Sequence, residues 1–311
     1  MSEKEKIILV LGDVMLDTYI VGEHLGDSPE ADVPLLRQTS TTDRLGGAGN
    51  VAINLRGLNL NPVLLSVCGD DAAGYLIRDI CTYSGIESYI ITDHSRKTTH
   101  KKRVVDAGFN QFLRIDSEDY DDLSSDIESK LKELFMDLLK DKKIAAIIIQ
   151  DYNKGCITKS MIKFVQAECR TAKIPLIVDP KSNNFRLLSQ CTAFKPNLKE
   201  LSNALGRDIL PEESSIQNAL DELQLDSNAQ FFVTLANKGI FYKKNEDSGI
   251  IHGHEVENPD VSGAGDTVLA VIAYGLVSGL DIHAISKIAN QAGAAVVSKS
   301  GVSPVNLEDI F

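Results

Sequence analysis

Residues 260–271 read DVSGAGDTVLAV, so that the small residues Gly263, Ala264 and Gly265 stand directly before Asp266. The apolar run that follows is long enough for a helix and apolar on every face, which predicts a buried helix with Asp266 at its N-terminus. Small residues at such a terminus leave backbone N–H groups open to an anion. A cradle for an anion with a carboxylate base beside it indicates phosphoryl transfer.

A second interpretation gives Asp266 no chemical role. Asp is a preferred N-cap residue, whose side chain accepts hydrogen bonds from unpaired amides and offsets the helix dipole. The glycines would then serve only to form a tight turn. This short motif alone leaves both interpretations open.

Short apolar runs alternate with longer helical patterns along the chain. Continuous runs of this kind are typical of strands buried on both faces of a parallel sheet. The βαβ order predicts an α/β fold, with a doubly wound, mainly parallel sheet flanked by helices. The apolar runs are residues 7–11, 63–67, 144–149, 175–179 and 231–235, and the helical patterns are 123–140, 158–172 and 213–224.

Two stretches, residues 18–37 and 89–115, alternate polar and apolar residues and do not fit this rhythm. They predict a small separate β-sheet, a lid, that flanks the main domain. No linker is evident, so we expect one domain over residues 1–311. Half-exposed lid strands leave apolar surface uncovered, and we therefore expect a homodimer formed through the lid.

Polar residues follow several of the predicted strands. Ligands of open α/β sheets bind beyond the carboxyl ends of the strands. Taken singly, Asp179, Asn197 and Thr234 are explained as strand-end and helix-cap residues. Their coincidence at one edge, together with the glycine motif, favours a phosphate-rich ligand. The clusters are GDVMLD (12–17), DYNKG (151–155), DPK (179–181), KPNLKE (195–200) and TLANKG (234–239).

Composition excludes several other classes. The formal net charge is −12, and the one basic cluster, residues 100–103, is short, which argues against a nucleic-acid partner. The five cysteines are odd in number and form no CxxC pair, so we interpret them as buried thiols in a reducing cytosol. The N-terminal apolar run, residues 7–11, is too short for a signal sequence or a membrane span. These features predict a cytoplasmic protein without a membrane partner.

A rival motif is present in residues 47–52, which satisfy G-x-G-x-x-A and have Asp70 and Asp71 downstream, as a dinucleotide-dependent oxidoreductase requires. That fingerprint must follow a buried strand, whereas residues 38–45 are polar. The chain has no Walker A sequence, no G-x-S-x-G elbow and no metal-ligand spacing among its histidines. The chemistry is therefore expected to depend on Asp and on bound phosphate.

Two longer motifs, LGGAGNVAINLRGL (45–58) and DVSGAGDTVLAVIAYGL (260–276), resemble the two signatures of the ribokinase (PfkB) family of sugar kinases. The polar clusters above and SPEADVP (28–34) are similar to the kinase half of bifunctional ADP-heptose synthesis proteins, so that the resemblance spans nearly the whole chain. It implies a ribokinase-like domain with a β-sheet lid, ATP as phosphoryl donor and Mg²⁺. It leaves open whether a monovalent cation is also needed.

The resemblance also implies roles for individual residues. Asp266 is the base, and the amides of Gly263, Ala264 and Gly265 form the anion hole. The residues implied to bind sugar hydroxyls are Asp13, Asp17, Gly46, Gly47 and Asn50. Those implied to bind ATP are Asn197, Leu198, Lys199, Glu200, Thr234, Gly239 and Asn290, with Glu200 also at the metal. The cations assigned to a phosphate on the sugar are Lys101, Arg103, Arg114, Lys154 and Lys181.

The chain departs from that pattern at a few positions. Gly26 and Asp27 stand before SPEA, where similar heptose kinases carry a basic residue, and Ser262 stands where many relatives have Thr. The chain ends at Phe311 without a nucleotidyltransferase half, which predicts a stand-alone kinase whose product is processed by separate enzymes.

The resemblance implies ATP-dependent phosphorylation of the anomeric hydroxyl of D-glycero-D-manno-heptose 7-phosphate. The 1,7-bisphosphate formed would serve ADP-heptose and lipopolysaccharide core synthesis. The alternatives are a kinase for another sugar or sugar phosphate, of fructose or ribose type, a non-catalytic ligand-binding relative, and the oxidoreductase.

Overall fold

The computed structural model describes residues 6–226, 228–253, 256, 261–298 and 304–310. Residues 1–5 and Phe311, at the two ends of the expected domain, lie outside these ranges. The strands are β1 Ile7–Gly12, β2 Val14–Asp27, β3 Pro34–Gly47, β4 Asn61–Cys68, β5 Glu87–Thr92, β6 His100–Val105, β7 Gln111–Ser117, β8 Ile144–Gln150, β9 Leu176–Asp179, β10 Ala193–Phe194, β11 Gln230–Thr234, β12 Gly239–Lys244 and β13 Asp247–His252. The helices are α1 Ala48–Gly57, α2 Ala72–Tyr83, α3 Ser125–Asp141, α4 Lys159–Ala172, α5 Leu198–Leu205, α6 Glu213–Leu223, α7 Ala264–Ser278 and α8 Ile282–Val297.

The large sheet has the strand order β13-β12-β11-β10-β9-β8-β1-β4-β5 among the described residues. Its strands from β11 to β5 pair in parallel, and β12 and β13 add an antiparallel edge. One face packs against α1, α2, α7 and α8, and the other against α3, α4, α5 and α6. Because both faces are covered, β1 and β8 are almost entirely buried, which explains their continuous apolar runs. The predicted doubly wound α/β fold is confirmed.

The small sheet consists of β3, β2, β6 and β7 in that order, and it confirms the prediction of a separate β-sheet. Its boundaries differ from the expected segments. Residues 89–92 belong to β5, which pairs with β4 at the edge of the large sheet and buries Ile90 in the core. β2 and β3 are both 14 residues long, so the small sheet extends to Gly47.

The polar stretch 38–45 lies within β3, which runs directly into α1. A strand therefore does precede the G-x-G-x-x-A motif. It is antiparallel to β2 and mostly exposed, however, and it belongs to the small sheet. The buried parallel strand that a dinucleotide fold requires is not the strand found here.

Two further features bear on the expectations from composition. None of the helices in the described ranges is long and apolar enough to cross a membrane. All five cysteines are free; Cys68, Cys81, Cys156 and Cys169 are buried as expected, whereas Cys191 is only partly buried.

Candidate active site

Asp266 lies in the first turn of α7 with its carboxylate buried, and three neutral side chains donate hydrogen bonds to it. The Asn50 amide donates to Oδ2 at 2.8 Å, while the Gln150 amide and the Tyr152 hydroxyl donate to Oδ1 at 3.0 and 2.8 Å. Burial raises the pKa of Asp266 to about 6, against the effect of these donors. The N-cap residue is Gly263, and no side chain caps the helix, so the capping interpretation of Asp266 is wrong.

The backbone at the start of α7 is open beside this carboxylate. Of the three amides predicted to form the anion hole, those of Gly263, Ala264 and Gly265, the Ala264 amide donates to the Val261 carbonyl at 3.4 Å. The Thr267 amide bonds to the Gly263 carbonyl at 3.0 Å, whereas the amides of Gly265 and Asp266 come too early for a partner within the helix. A Cβ on Gly265 would lie 3.7 Å from Nζ of Lys195, so a buried ammonium lies beside these amides. Amides that have no partner within the helix, a helix N-terminus and an ammonium together suit an anion.

Asn50 is oriented by α1 itself. Asn54, one turn later, donates from Nδ2 to the backbone carbonyl of Asn50 at 2.8 Å and to its Oδ1 at 3.1 Å. The Nδ2 group of Asn50 is thereby directed to Asp266. The Thr267 hydroxyl donates to Oδ1 of Asn54 at 3.1 Å, which ties α1 to α7 at this point.

Asp17, Gly46 and Arg103 meet where β2 pairs with β3 and β6. Arg103 donates to Oδ1 of the buried Asp17. A Cβ on Gly46 would lie only 2.2 Å from Oδ2 of Asp17. The Asp17 carboxylate therefore packs directly against the backbone of Gly46, where a side chain would clash with it. At Gly47 a Cβ would lie 2.3 Å from the carbonyl oxygen of Asp13, and φ is +57°.

Asp13 holds the loop after β8. Its Oδ2 accepts the amides of Tyr152 and Lys154 at 2.7 and 3.2 Å, and its Oδ1 accepts the amide of Cys156 at 3.0 Å. Burial raises the pKa of this carboxyl. Asp13 therefore lies at the expected edge of the sheet, with both carboxylate oxygens engaged by backbone.

The five predicted phosphate-binding cations divide into two groups. Lys101 and Lys181 lie over the ring of Tyr152, with Nζ atoms 5.8 and 5.1 Å from its centroid. Burial lowers the pKa of the Lys101 ammonium. Lys154 forms an ion pair of 2.8 Å with Glu118, and Arg114 pairs with Asp116 at 3.0 Å on the exposed strand β7. Lys101 and Lys181 thus lie over the ring of the tyrosine that bonds the base, and Arg103 pairs with Asp17.

The predicted nucleotide residues begin at the N-terminus of α5, where Asn197 and Glu200 form a capping box with two hydrogen bonds of 2.8 Å. Lys181 donates to the other carboxylate oxygen of Glu200. Thr234 pairs with Asn197 through a parallel bridge, which brings the end of β11 to this helix.

The remaining predicted nucleotide residues are more dispersed. Leu198 packs against the core, whereas Lys199 is exposed. Gly239 has φ +107° and approaches the Ile251 carbonyl, where a Cβ would lie 1.9 Å away. Asn290 donates to the His252 carbonyl at 2.9 Å. Gly239 and Asn290 therefore lie beside the β12–β13 hairpin rather than at α5.

Sequence reasoning missed Gln150, Tyr152 and Lys195 as site residues. Tyr152 and Lys195 lie in clusters that the sequence does single out, but no feature of their type or spacing distinguishes them from neighbours. Gln150 is the last residue of β8, so the carboxyl-end rule points to its position and not to its contact with Asp266.

Comparison with known proteins agrees with this arrangement. The pfkB family of carbohydrate kinases matches residues 6–309. The bifunctional protein HldE of Hyphomonas neptunium is 38% identical over 98% of this chain, and that of Campylobacter jejuni is 34% identical over 100% of it. The chain spans only 63% and 65% of the length of these two relatives.

The fold is also that of solved sugar kinases. Phosphofructokinase-2 from Escherichia coli in complex with potassium superposes with a TM-score of 0.80 at 19% identity, covering 98% of this chain and 96% of the other. The predicted family is confirmed, and the oxidoreductase alternative is wrong. This chain belongs to the pfkB family of carbohydrate kinases and is a sugar phosphotransferase.

Proposed function

We propose that this chain is an ATP-dependent kinase that phosphorylates the anomeric hydroxyl of D-glycero-D-manno-heptose 7-phosphate to the 1,7-bisphosphate, for ADP-heptose and lipopolysaccharide core synthesis. The observation that carries the kinase mechanism is the buried carboxylate of Asp266 beside the amides of Gly265 and Asp266, which have no partner within α7. Similarity to HldE proteins along the whole chain and the motif resemblance to ADP-heptose synthesis proteins support the heptose substrate.

Asp266 has the properties of a general base for a sugar hydroxyl. Its pKa of about 6 leaves it mainly ionised at neutral pH, yet basic enough to accept a proton in the transition state. The amides of Gly265 and Asp266 and the ammonium of Lys195 are placed to stabilise negative charge on the transferred phosphoryl group.

ATP and a divalent cation, Mg²⁺, are the cofactors that the family implies, and the residues present fit them. Within the described ranges, no group of three or more His, Cys, Asp or Glu side chains is arranged to hold a metal ion. Mg²⁺ in phosphoryl-transfer sites typically uses one or two carboxylates and the substrate phosphates. Glu200 gives one lone pair to Asn197 and one to Lys181, and a carboxylate has about four, so it can also hold Mg²⁺. Bound Mg²⁺ would supply positive charge to the phosphates.

The sugar phosphate is the small-molecule partner in this proposal, and Lys101, Arg103, Lys154 and Lys181 are its cations, with Arg114 on the exposed strand β7. The potassium complex of phosphofructokinase-2 makes K⁺ the monovalent cation to test. We place the reaction in the cytoplasm, as the cysteine pattern suggests.

A homodimer through the small sheet is part of the same proposal. Leu113 and Ile115 lie on one face of β7 and are 53% and 52% exposed, and Leu35 on β3 is also exposed. A second copy would cover them. Sedimentation at micromolar protein concentration tests this, and a monomeric species contradicts it.

Substitution of Asp266 by Asn tests the mechanism, with ADP release measured on a panel of sugars. The variant keeps the size of the side chain and loses the proton-accepting charge, so we expect a folded protein that binds ATP with kcat lower by about 10² to 10⁴. A folded variant with near-normal turnover contradicts the mechanism. Turnover of fructose 6-phosphate or ribose, with no turnover of the heptose 7-phosphate, contradicts the proposed heptose substrate. It leaves the proposed kinase mechanism intact.

A further inference from the structure

Tyr152 connects the base to the rest of the site by three separate contacts. Its backbone amide donates to Oδ2 of Asp13 at 2.7 Å, which fixes the loop after β8. Its hydroxyl donates to Oδ1 of Asp266 at 2.8 Å. The face of its ring lies under the ammonium groups of Lys101 and Lys181. A tyrosine held at its backbone, ring and hydroxyl has a defined position relative to the base.

The hydrogen bonds to Asp266 are distributed unequally over its two oxygens. Oδ1 accepts from Gln150 at 3.0 Å and from Tyr152 at 2.8 Å, whereas Oδ2 accepts only the Asn50 amide among the described hydrogen bonds. Each carboxylate oxygen has about two lone pairs. Oδ1 is therefore saturated, and Oδ2 keeps one lone pair for a further donor.

The Tyr152 phenol acts as a donor toward the carboxylate at working pH. Burial, followed by the charges of Asp266 and Asp179, raises the pKa of its hydroxyl well above the usual value. A neutral donor that bonds a carboxylate stabilises the ionised form and lowers the pKa of that carboxyl. Loss of this donor therefore raises the pKa of Asp266.

We propose that Tyr152 is a positioning residue whose hydroxyl, with the Gln150 amide, holds Oδ1 of Asp266 so that Oδ2 accepts the proton of the sugar hydroxyl. This inference rests on the proposed role of Asp266 as the base. In that step the sugar O–H bond breaks and its proton passes to Oδ2. The sugar oxygen forms the bond to the γ-phosphorus, and ADP leaves with the electrons of the broken P–O bond.

The charged groups around Asp266 set the background for a test by pH. Asp179 at the end of β9 raises the pKa of Asp266, and Lys195 after β10 lowers it. Lys181 also interacts with Asp266 by charge. The α1 and β8 side chains that bond it, Asn50 and Gln150, are neutral. Replacing Tyr152 by Phe leaves all of these groups in place and keeps the ring under the two lysines.

The test is the pH profile of kcat for Tyr152→Phe with saturating ATP and sugar phosphate. We expect wild-type kcat to fall as Asp266 gains a proton below a pH of about 6. A hydrogen bond to a charged group corresponds to about one pKa unit or more, so we expect the midpoint of the variant to move upward by about one pH unit. At pH 6, kcat should then be lower by about fivefold, because the ionised fraction of Asp266 falls from about one half to about one tenth.

Tyr89→Phe is the matched control, because the Tyr89 hydroxyl also donates to a carboxylate, that of Glu87, at 2.7 Å, on the edge strand β5. Its profile should match the wild type. An unshifted midpoint in a folded Tyr152→Phe protein, when Asp266→Asn is inactive, overturns the inference and leaves the proposed function intact. An active Asp266→Asn variant overturns both.

Discussion

The ammonium of Lys195 lies 3.0 Å from Oδ2 of Asp179, with each side chain only 3% exposed. The same oxygen accepts the Gln150 amide at 3.2 Å, and that amide also donates to Asp266. A buried ion pair is thus linked to the base through one glutamine. Since the Lys195 ammonium also lies beside Gly265, it serves both the charge balance of the core and the anion hole.

We expect Lys195→Met to destabilise the protein by about 3 to 5 kcal/mol, because Asp179 would keep a buried charge without its ion-pair partner. Urea unfolding measures this. The double variant Lys195→Met with Asp179→Leu should recover most of the stability, since a buried pair is often replaced by apolar residues at little cost. It should not recover kcat, because the charge beside Gly265 is still missing. A single variant as stable as the wild type contradicts this account.

Gly265→Ala should separate catalysis from stability. The new methyl would meet Nζ of Lys195 at 3.7 Å, an ordinary contact, and Ala in a helix is favoured over Gly by about 0.5 to 1 kcal/mol. The same methyl crowds the free amides, and kcat should fall by up to about 10² to 10³. Gly293→Ala in α8, whose methyl would meet Val268 at 3.4 Å, is the control. It should leave kcat unchanged.

Kinetic measurements can rank the predicted basic residues by their contribution to binding the sugar phosphate. Lys101→Met should raise KM for the sugar phosphate by about tenfold or more and leave KM for ATP nearly unchanged, because a charge-assisted hydrogen bond is worth about 1.5 to 3 kcal/mol. Arg114→Met, on the exposed strand β7 and already paired with Asp116, should have a smaller effect. Equal changes in both KM values for Lys101→Met remove this residue from the sugar site.

Asp151 should make the folded protein less stable as the pH rises. Burial, with the nearby charge of Asp13, raises its pKa to about 6, above the value of about 3.9 in an unfolded chain. Between these values the native state binds more protons than the unfolded state, so stability falls with rising pH across that window.

The Asp151→Asn variant removes this dependence. Its stability relative to wild type should increase from pH 4 to pH 7 by up to about 3 kcal/mol, as urea midpoints at the two pH values would show. Asp126→Asn, an exposed carboxylate in the first turn of α3, should give no such increase. A stability difference for Asp151→Asn that does not change with pH refutes the assignment.

The large sheet could be read from the sequence because its strands are buried on both faces. Ile8 to Leu11 and Ala146 to Ile149 have no exposed surface, and selection for burial leaves an unbroken apolar run. β5 was harder to assign, since it is an edge strand with half-buried residues and its pattern resembles that of the small sheet. β3 is mostly exposed, and its polar residues give no periodic signal.

The site was predictable in position and not in its contacts. Asp266 follows from its own motif, because small residues stand directly before it, whereas Asn50 and Asp17 follow only from the family resemblance. The donors Gln150 and Tyr152 are 116 and 114 residues distant from Asp266 in sequence. Their contacts arise only when α7 packs near β8 and β9, which local pattern does not encode.

At two of its four connections, the small sheet joins the rest of the domain with almost no connecting chain. Only Asp13 separates β1 from β2, and β3 passes into α1 at Gly47 without a loop. α1 presents Asn50 to Asp266. A tilt of the small sheet must therefore be absorbed by the backbone of Asp13 and Gly47, and the amide that bonds Oδ2 moves with it. A rotation of the small sheet is therefore transmitted through α1 to the hydrogen bond between Asn50 and Asp266.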